Sequence, residues 1–206
     1  MNNKIFTDDF FNRLLFIPNN TFFIIGTNNK NYIIKDMLYL LKDISFGVVM
    51  STNQLYDSFF HKNLIFPTFN QKVIDKLIKR QKTKNNNTLL IIDTNNNKLL
   101  LTKSYFHDLI RACEPHNITL LFFLDDLIDV KYKIKTISYV LFLKEINELN
   151  NKAIYQNFAY LFNGQKDFAY AMNKLTNSHS LLIYQNEFFY FRNYLNYMYG
   201  INFYDT

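Results

Sequence analysis

Short runs of consecutive apolar residues alternate along the chain with stretches in which apolar residues recur at helical spacing. The consecutive runs are five or six residues long and end at polar turns, as buried strands do. The predicted strands are 21–26, 46–51, 88–93, 119–124 and 138–143, and the predicted helices are 31–43, 71–82, 104–114, 151–162 and 165–176. Continuous apolar strands connected by amphipathic helices indicate a mostly parallel sheet with helices on both faces.

The two ends of the chain add smaller elements to this α/β pattern. Residues 1–20 form a polar and aromatic lead-in, with a short helix predicted over 8–15. Near the C-terminal end, the apolar runs 180–185 and 188–192 predict a hairpin. No internal repeat or linker interrupts the pattern, so we expect one α/β domain over residues 1–206.

Composition narrows the classes of function without choosing among them. The 29 Asn and 19 Lys residues are typical of coding in an AT-rich genome, so runs of Asn carry little functional weight. The net charge of +6 fits a polyanionic partner such as a nucleic acid, although the same coding bias contributes lysines. A single cysteine, Cys113, excludes an internal disulfide and indicates a reducing compartment. No apolar run reaches the roughly 18 residues of a membrane span and no signal peptide opens the chain, so we expect neither secretion nor membrane insertion.

The stretch 21–36 has the layout of a phosphate-binding loop. A buried strand runs into Gly26, a polar turn follows, and Lys30 opens a segment with helical spacing. In a working loop the lysine stands between Gly and Ser/Thr, because glycine lets backbone N–H groups close around phosphate and the hydroxyl reaches Mg²⁺. Here Asn29 and Asn31 flank the lysine. We therefore assign any nucleotide contact to Gly26, Lys30 and Asn31, in a loop that lacks two of its usual residues.

Carboxylates follow two of the predicted strands. Asp93 ends the third strand, where nucleotide hydrolases place a metal-coordinating acid. The next residue, Thr94, cannot polarise an attacking water, and a plain turn or capping role for Asp93 stays open. Asp125 and Asp126 follow the fourth strand, where they would repel a triphosphate unless a metal intervened. The alternative role for this pair is to cap a helix over 126–135.

The order of these elements, rather than any single motif, resembles the poxvirus-type virion DNA packaging ATPases of nucleocytoplasmic large DNA viruses. The run 30–52, KNYIIKDMLYLLKDISFGVVMST, is similar to their Walker A helix and second strand. The resemblance covers about 25–195 and continues through 56–60, 74–81, 89–93, 116–123 and 139–145. It implies a P-loop NTPase-like fold of the FtsK/HerA branch, with ATP and Mg²⁺ as cofactors if activity is retained. It also implies viral DNA as a partner and a location in the host cytoplasm, the nucleus or the virion.

The motifs of this family carry over only in part. Lys30 falls on the phosphate-binding lysine and Asp93 on the metal-binding acid. The altered positions are Asn29 for Gly, Asn31 for Ser/Thr, Thr94 for the second acid, Cys113-Glu114-Pro115 for a Gly-Arg-His block, and Leu124-Asp125 for a Thr/Gln pair. Arg111 stands one helical turn before the position of the family's arginine, near the expected nucleotide edge. An arginine finger alone raises the turnover rate by a factor of about 10³–10⁵. We therefore predict no hydrolysis and no bound cofactor, and expect Lys30→Ala to leave folding nearly unchanged.

Three hypotheses about function follow. The leading one is a catalytically degenerate relative of the packaging ATPase, acting as a structural or DNA-packaging accessory subunit, alone or in a ring with an intact paralogue. The second is a divergent but active packaging motor that uses Lys30 and Asp93. The third is a basic nucleic-acid-binding module that contacts phosphate through one helix. The residues assigned to that contact are Lys72, Lys76, Lys79, Arg80, Lys82 and Lys84, with Lys131, Lys133 and Lys135 as a further run.

Aromatic segments are the candidates for association with other subunits. Phe and Tyr cluster at 56–60 and at 194–204. Exposed aromatic patches commonly mark protein contact sites. We therefore expect the chain to associate with itself or with an intact paralogue through one of these two segments.

Overall fold

An eight-stranded sheet carries the part of the chain that the computed structural model describes, residues 19–44, 46–84, 86–94, 97–101, 103–127, 137–176, 179–184 and 187–192. The strands are β1 (Thr21–Ile25), β2 (Gly47–Ser51), β3 (Ile65–Phe66), β4 (Thr88–Asp93), β5 (Ile118–Leu124), β6 (Tyr139–Phe142), β7 (His179–Tyr184) and β8 (Glu187–Arg192). The helices are α1 (Lys30–Leu40), α2 (Gln71–Lys84), α3 (Asn97–Leu100), α4 (Ser104–Cys113), α5 (Glu148–Phe158) and α6 (Gln165–Asn173). None of these described helices is long and apolar enough to cross a lipid bilayer.

The order of the strands across the sheet is β3-β2-β4-β5-β1-β6-β7-β8. The pairs from β3 through to β6 are parallel, whereas β7 pairs antiparallel with both β6 and β8. On β1, Ile25 lies opposite Leu124 of β5 on one side and Phe142 of β6 on the other. Because the parallel strands all end at one edge, the turns after β1, β4 and β5 meet there. We call it the carboxyl edge of the sheet.

Successive residues of each central strand enter two different cores. On β1, Phe23 and Ile25 face one core, Phe22 and Ile24 face the other, and all four are buried. Helices α2, α4, α5 and α6 cover the first core, and α1 covers the second. Burial on both faces explains why the apolar runs of the sequence are continuous rather than alternating. The predicted α/β fold is confirmed, with its mostly parallel sheet, helices on both faces and C-terminal hairpin.

The segment between β2 and α2 is more regular than its sequence suggests. Residues 52–69 are rich in aromatic side chains and show no regular apolar spacing, yet the structure contains β3 and two 3-10 helices there, Gln54–Ser58 and Lys62–Leu64. The first of these helices begins after Asn53, whose side chain accepts a hydrogen bond from the Leu55 N–H. 3-10 helices as short as these span too few residues to show an apolar period, so the hydrophobic pattern does not reveal them.

Local capping moves several helix boundaries. Helix α5 begins at Glu148 rather than at 151, because the Asn147 side chain accepts hydrogen bonds from two N–H groups of the first turn. Helix α1 ends at Leu40 rather than at 43. The chain after α4 continues through Pro115 as a 3-10 turn, since proline is tolerated at the start of a helical turn. The predictions that fall outside the described residues are the helix over 8–15, nearly all of the helix over 126–135, and the aromatic segment 194–204.

Candidate functional site

The turn from β1 to α1 depends on a glycine in a conformation that other residues avoid. Gly26 has a φ of +119°, and a Cβ placed on it would lie 3.0 Å from the Cβ of Leu143. Its N–H donates to the carbonyl of Leu124 at 2.9 Å, which ties the turn to β5. Asn29 closes the turn in the left-handed region, with a φ of 60° that asparagine tolerates. The turn therefore delivers Lys30 as the first residue of α1.

This turn is shorter than a phosphate-binding loop. The consensus G-x-x-x-x-G-K-S/T has five residues between its first glycine and its lysine, whereas three separate Gly26 from Lys30. The side-chain amide of Asn28 donates to the carbonyl of Lys144 at 2.9 Å, so the turn is also tied to the residues after β6. A turn with fewer backbone N–H groups surrounds less of a phosphate. The departure from a phosphate-binding loop is therefore visible in the sequence in two ways: in the short spacing between glycine and lysine, and in the asparagines that flank the lysine.

At the carboxyl edge, Lys30 lies between two carboxylates. Its Nζ is 2.5 Å from Oδ1 of Asp93, at the end of β4, and 3.2 Å from Oδ1 of Asp125, just after β5. The strand order brings them together, because β5 lies between β1 and β4 and all three strands end at this edge. The ammonium also lies 5.5 Å from the centre of the Phe123 ring. We call Lys30, Asp93 and Asp125 the edge cluster; it combines one positive charge with two negative charges.

The two ion pairs of the edge cluster differ in burial. The side chain of Asp93 is 4% exposed, that of Lys30 is 20% exposed and that of Asp125 is 53% exposed. Exposed ion pairs contribute about 0–1 kcal/mol to stability, whereas a buried carboxylate that loses its partner costs considerably more. The pair of Lys30 with Asp93 therefore dominates the cluster. Asp125 is the outer partner of Lys30, a contact that the sequence did not predict for it.

Tyr56 contacts the other oxygen of the Asp93 carboxylate. It lies in the 3-10 helix Gln54–Ser58, is fully buried, and donates its hydroxyl hydrogen to Oδ2 of Asp93 at 3.1 Å. Burial raises the pKa of Tyr56 well above its ordinary value of 10.0, and the charge of Asp93 and the hydrogen bond to it act in the same direction. The prediction of an exposed aromatic patch at 56–60 is wrong, because Tyr56 is buried and the two phenylalanines after it pack partly buried against the core.

Asn31, which replaces the Ser/Thr of a phosphate-binding loop, has an internal partner as well. Its Oδ1 accepts a hydrogen bond from Nδ2 of Asn53 at 2.9 Å. The N–H of Asn53 donates to Oγ of Ser51 at 3.0 Å, and Ser51 is the register neighbour of Asp93 on β2. Asn31 therefore binds the segment that follows β2.

Asn97 is a site residue that the sequence did not single out. It is buried, and its Nδ2 donates to the carbonyls of Ile92 at 3.2 Å and Phe123 at 2.6 Å, which joins the ends of β4 and β5. Its Oδ1 accepts hydrogen bonds from the N–H and the hydroxyl of Thr94. Asn97 belongs to a run of three asparagines, which looks like coding bias, so the sequence analysis gave it no weight. Its position four residues after the strand-ending Asp93 is the signal that was available.

The residues at the carboxyl edge, as arranged, do not fit a Mg²⁺–nucleotide complex. In P-loop enzymes the metal is held by the Ser/Thr hydroxyl and the strand-ending acid. Here Asn31 replaces the hydroxyl, and both oxygens of Asp93 have protein partners. Across the part of the chain that the structure describes, no group of three or more His, Cys, Asp or Glu side chains could hold a metal ion. A bound nucleotide would have to draw Lys30 away from Asp93.

Arg111 lies at the opposite edge of the sheet. It is in the last turn of α4, which leads through Asn117 into the amino end of β5. The carbonyl of Asn117 accepts a hydrogen bond from the N–H of Thr88, the first residue of β4. The prediction that Arg111 lies near the nucleotide edge is therefore wrong, because a helix that returns to the amino edge carries its last turn there.

The basic residues of α2 divide into exposed lysines and one packed arginine. The exposed residues, which we call the α2 lysines, are Lys72, Lys76, Lys79, Lys82 and Lys84. Arg80 is half-buried, and its guanidinium lies 3.7 Å from the centre of the Phe46 ring, so it differs from the outer-face position predicted for it. The further run at Lys131, Lys133 and Lys135 lies outside the described residues.

Comparison with known proteins gives likeness in structure but none in sequence. No protein-family model matches the chain, and no curated protein matches it. The genome packaging NTPase B204 from Sulfolobus turreted icosahedral virus 2, in complex with AMPPCP, has a TM-score of 0.62 and 16% identity, over 82% of this chain and 94% of that chain. A second structure of B204, described as the DNA-packaging ATPase from Sulfolobus turreted icosahedral virus, has a TM-score of 0.57 and 16% identity. The match again covers 82% of this chain and 94% of that chain.

A bacterial structure matches as well. The cytoplasmic domain of the type VII secretion ATPase EccC from Thermomonospora curvata has a TM-score of 0.55 and 13% identity, over 84% of this chain and 25% of that chain. At these identities the likeness shows the fold alone. The chain has a P-loop NTPase-like α/β fold, which confirms the fold that its resemblance to the packaging ATPases implied.

Proposed function

We propose that this chain is a viral relative of the genome-packaging ATPases that no longer hydrolyses ATP and acts as a structural or DNA-packaging accessory subunit. The observation that carries the proposal is the edge cluster, in which the Lys30 ammonium lies 2.5 Å from the buried carboxylate of Asp93. In a working site this lysine contacts the phosphates and this acid contacts the metal. Here the two residues neutralise each other.

Electrostatics at the carboxyl edge supports this proposal. A triphosphate that recruited Lys30 would leave Asp93 without its cation and would place negative charge close to both Asp93 and Asp125. Loss of one partner of a buried ion pair costs about 3–5 kcal/mol, and the partial exposure of Lys30 lowers that figure. Thr94 offers no base for a water, and Arg111 lies at the other edge. Among the residues that the structure describes, this site therefore has neither a base for the attacking water nor an arginine beside Lys30.

The proposed setting of the subunit is a viral packaging assembly. B204, which shares the fold, is by its description a genome packaging NTPase and has structures in complex with AMPPCP and with ATP-gammaS. We propose that this chain keeps the fold as a scaffold and associates with itself or with an intact paralogue, in the host cytoplasm or nucleus or in the virion. No cofactor is required for that role.

The test is ATP turnover by the purified chain. With Mg²⁺ and ATP, the wild type should release phosphate at the same background rate as Lys30→Ala and as Lys72→Ala, a matched lysine variant on the exposed face of α2. Wild-type turnover clearly above that of Lys30→Ala, with Lys72→Ala equal to wild type, would overturn the proposal. That outcome would favour the alternative of a divergent but active packaging motor using Lys30 and Asp93.

A second candidate function is nucleic-acid binding by the α2 lysines. The observation that favours it is that five lysines of one helix are exposed. The acid on the same helix, Asp75, accepts a hydrogen bond at 2.8 Å from a neutral partner, the side-chain amide of Gln71. Clustered lysines of this kind bind phosphate backbones through release of counterions. This function is compatible with an accessory role in DNA packaging.

A further inference from the structure

Two tyrosine rings flank one lysine on the outer side of α6. Tyr170 lies on this helix and is 58% exposed, and Lys174, directly after the helix, is exposed as well. The Nζ of Lys174 is 4.3 Å from the centre of the Tyr170 ring and 5.9 Å from the centre of the Tyr190 ring, which β8 carries. We call Tyr170, Lys174 and Tyr190 the α6 patch. It shares no residue with the edge cluster or with the α2 lysines.

Contacts within the α6 patch hold its side chains in place. The Tyr190 hydroxyl donates to the carbonyl of Ala171 at 3.4 Å, which ties that ring to α6. The Lys174 ammonium donates a hydrogen bond to the Tyr170 hydroxyl, which raises the pKa of Lys174, so the lysine is charged at neutral pH. An ammonium has three donors, so others remain for an anion. The patch therefore presents a positive charge beside an exposed aromatic ring.

The α6 patch and the α2 lysines differ in the chemistry that they offer. Helix α2 contains no aromatic residue, so its lysines offer charge alone. Helix α6 contains one acid, Asp167, whose Oδ2 accepts a hydrogen bond from the N–H of Asn163 at 3.4 Å. A cation beside an exposed ring matches the two parts of a nucleotide in a single strand, because lysines bind the phosphates and aromatic rings stack on the bases.

We propose that the α6 patch binds single-stranded nucleic acid, with an unpaired base stacked on Tyr170 and the adjacent phosphate bound by Lys174. In a duplex the base faces are stacked on one another, so duplex DNA cannot make the contact with Tyr170. Every base has a π-face, so we expect no preference for sequence. The inference goes beyond the proposed function and does not depend on it. ATP hydrolysis by the wild type would overturn that function and leave the α6 patch untouched.

The test measures binding of a labelled oligothymidylate to the full chain by fluorescence anisotropy. Tyr170→Ala removes the ring that stacks on the base, so we expect binding about 5- to 150-fold weaker than in the wild type. Tyr170→Leu should lose as much, because it keeps apolar area without a π-face. Tyr170→Phe keeps the ring and should stay within about twofold of the wild type. The matched control is Tyr32→Ala, since Tyr32 is 50% exposed on α1, which covers the other face of the sheet.

Salt dependence tests the lysine of the α6 patch. Lys174→Gln should reduce the slope of log affinity against log salt by about 0.7, because each phosphate contact with a single strand contributes about that much. Lys103→Gln, at an exposed lysine just before α4, is the matched control and should leave the slope unchanged.

Three outcomes would overturn the inference. The first is equal affinity of Tyr170→Ala and Tyr32→Ala for the oligothymidylate. The second is an equal loss of affinity for labelled duplex DNA in Tyr170→Ala, because the ring would then not distinguish unpaired bases. The third is competition by polyglutamate as strong as that by unlabelled oligothymidylate of the same charge, because the patch would then bind acidic protein segments instead.

Discussion

The lysine at the carboxyl edge and the lysines of α2 carry the same charge in opposite surroundings. Lys30 is 20% exposed and lies between two carboxylates, whereas the α2 lysines are exposed. The net charge of +6 includes all of these lysines and does not distinguish their surroundings. Comparing the two regions shows that charge composition suggests a partner only where the charges are free to meet one. Lys30 is held by carboxylates of the fold, whereas the α2 lysines are exposed charges that a polyanion could contact.

The largest expected effect in this comparison is the loss of stability in Lys30→Ala. The variant leaves the buried carboxylate of Asp93 without its cation, so the free energy of unfolding should fall by about 2–4 kcal/mol. From the ion pair in the structure we therefore predict a loss of stability, where from the sequence alone we expected folding to be nearly unchanged. Urea unfolding measures the difference, with Lys72→Ala as the matched control, which should stay within about 0.5 kcal/mol of wild type. Equal stabilities of the two variants would show that the edge cluster does not support the fold.

A smaller effect concerns the α2 lysines and DNA. If they bind phosphate, replacing three of them (Lys76, Lys79 and Lys82) by Gln should reduce the slope of log affinity against log salt by about 2.7, because each contact contributes about 0.9. Fluorescence anisotropy of labelled duplex DNA at several salt concentrations measures the slope. The control replaces three exposed lysines elsewhere (Lys103, Lys152 and Lys166) by Gln, with the same change in net charge. If the two triple variants have the same slope, α2 is only a solvated face.

The smallest effect tests how the carboxyl edge is held together. Asn97→Ala removes the donors to the carbonyls of Ile92 and Phe123, so we expect a loss of about 1–2 kcal/mol in the free energy of unfolding. The control is Asn157→Ala, because the Asn157 amide donates at 2.9 Å to a carbonyl of its own helix, that of Ala153, and not between strands. Chemical denaturation compares the two variants. A loss no greater in Asn97→Ala would mean that this residue does not join β4 to β5.

Most of the elements could be predicted from the sequence because central strands of this fold are buried on both faces. Such strands are apolar at nearly every inner position, which gives β1 and β4 clear signals: the predicted 21–26 and 88–93 correspond to Thr21–Ile25 and Thr88–Asp93. The 3-10 helix that carries Tyr56 has no comparable signal. Its start depends on a single capping residue, Asn53, in a chain where asparagine is common.

The candidate site was predictable only where a residue lies at the end of a strand or close behind the turn that follows it. Lys30 and Asp93 could be named because turns after parallel strands gather at one edge. The contact of Asp125 with Lys30, the burial of Tyr56 and the bridging role of Asn97 could not. Each of these is a contact between side chains or carbonyls of different elements, and no periodic pattern in one element specifies its partner in another.

The sequence by itself determined that buried strands alternate with amphipathic helices, that a glycine turn precedes a lysine, and that an acid ends the third long strand. Only the tertiary structure decided what that lysine meets. The insertion of β5 between β1 and β4 sets the distance from Lys30 to both carboxylates, and the path of the chain after β2 brings Tyr56 to the second carboxylate oxygen of Asp93. Strand order results from packing among segments that lie far apart in the chain, so no local sequence pattern specifies it.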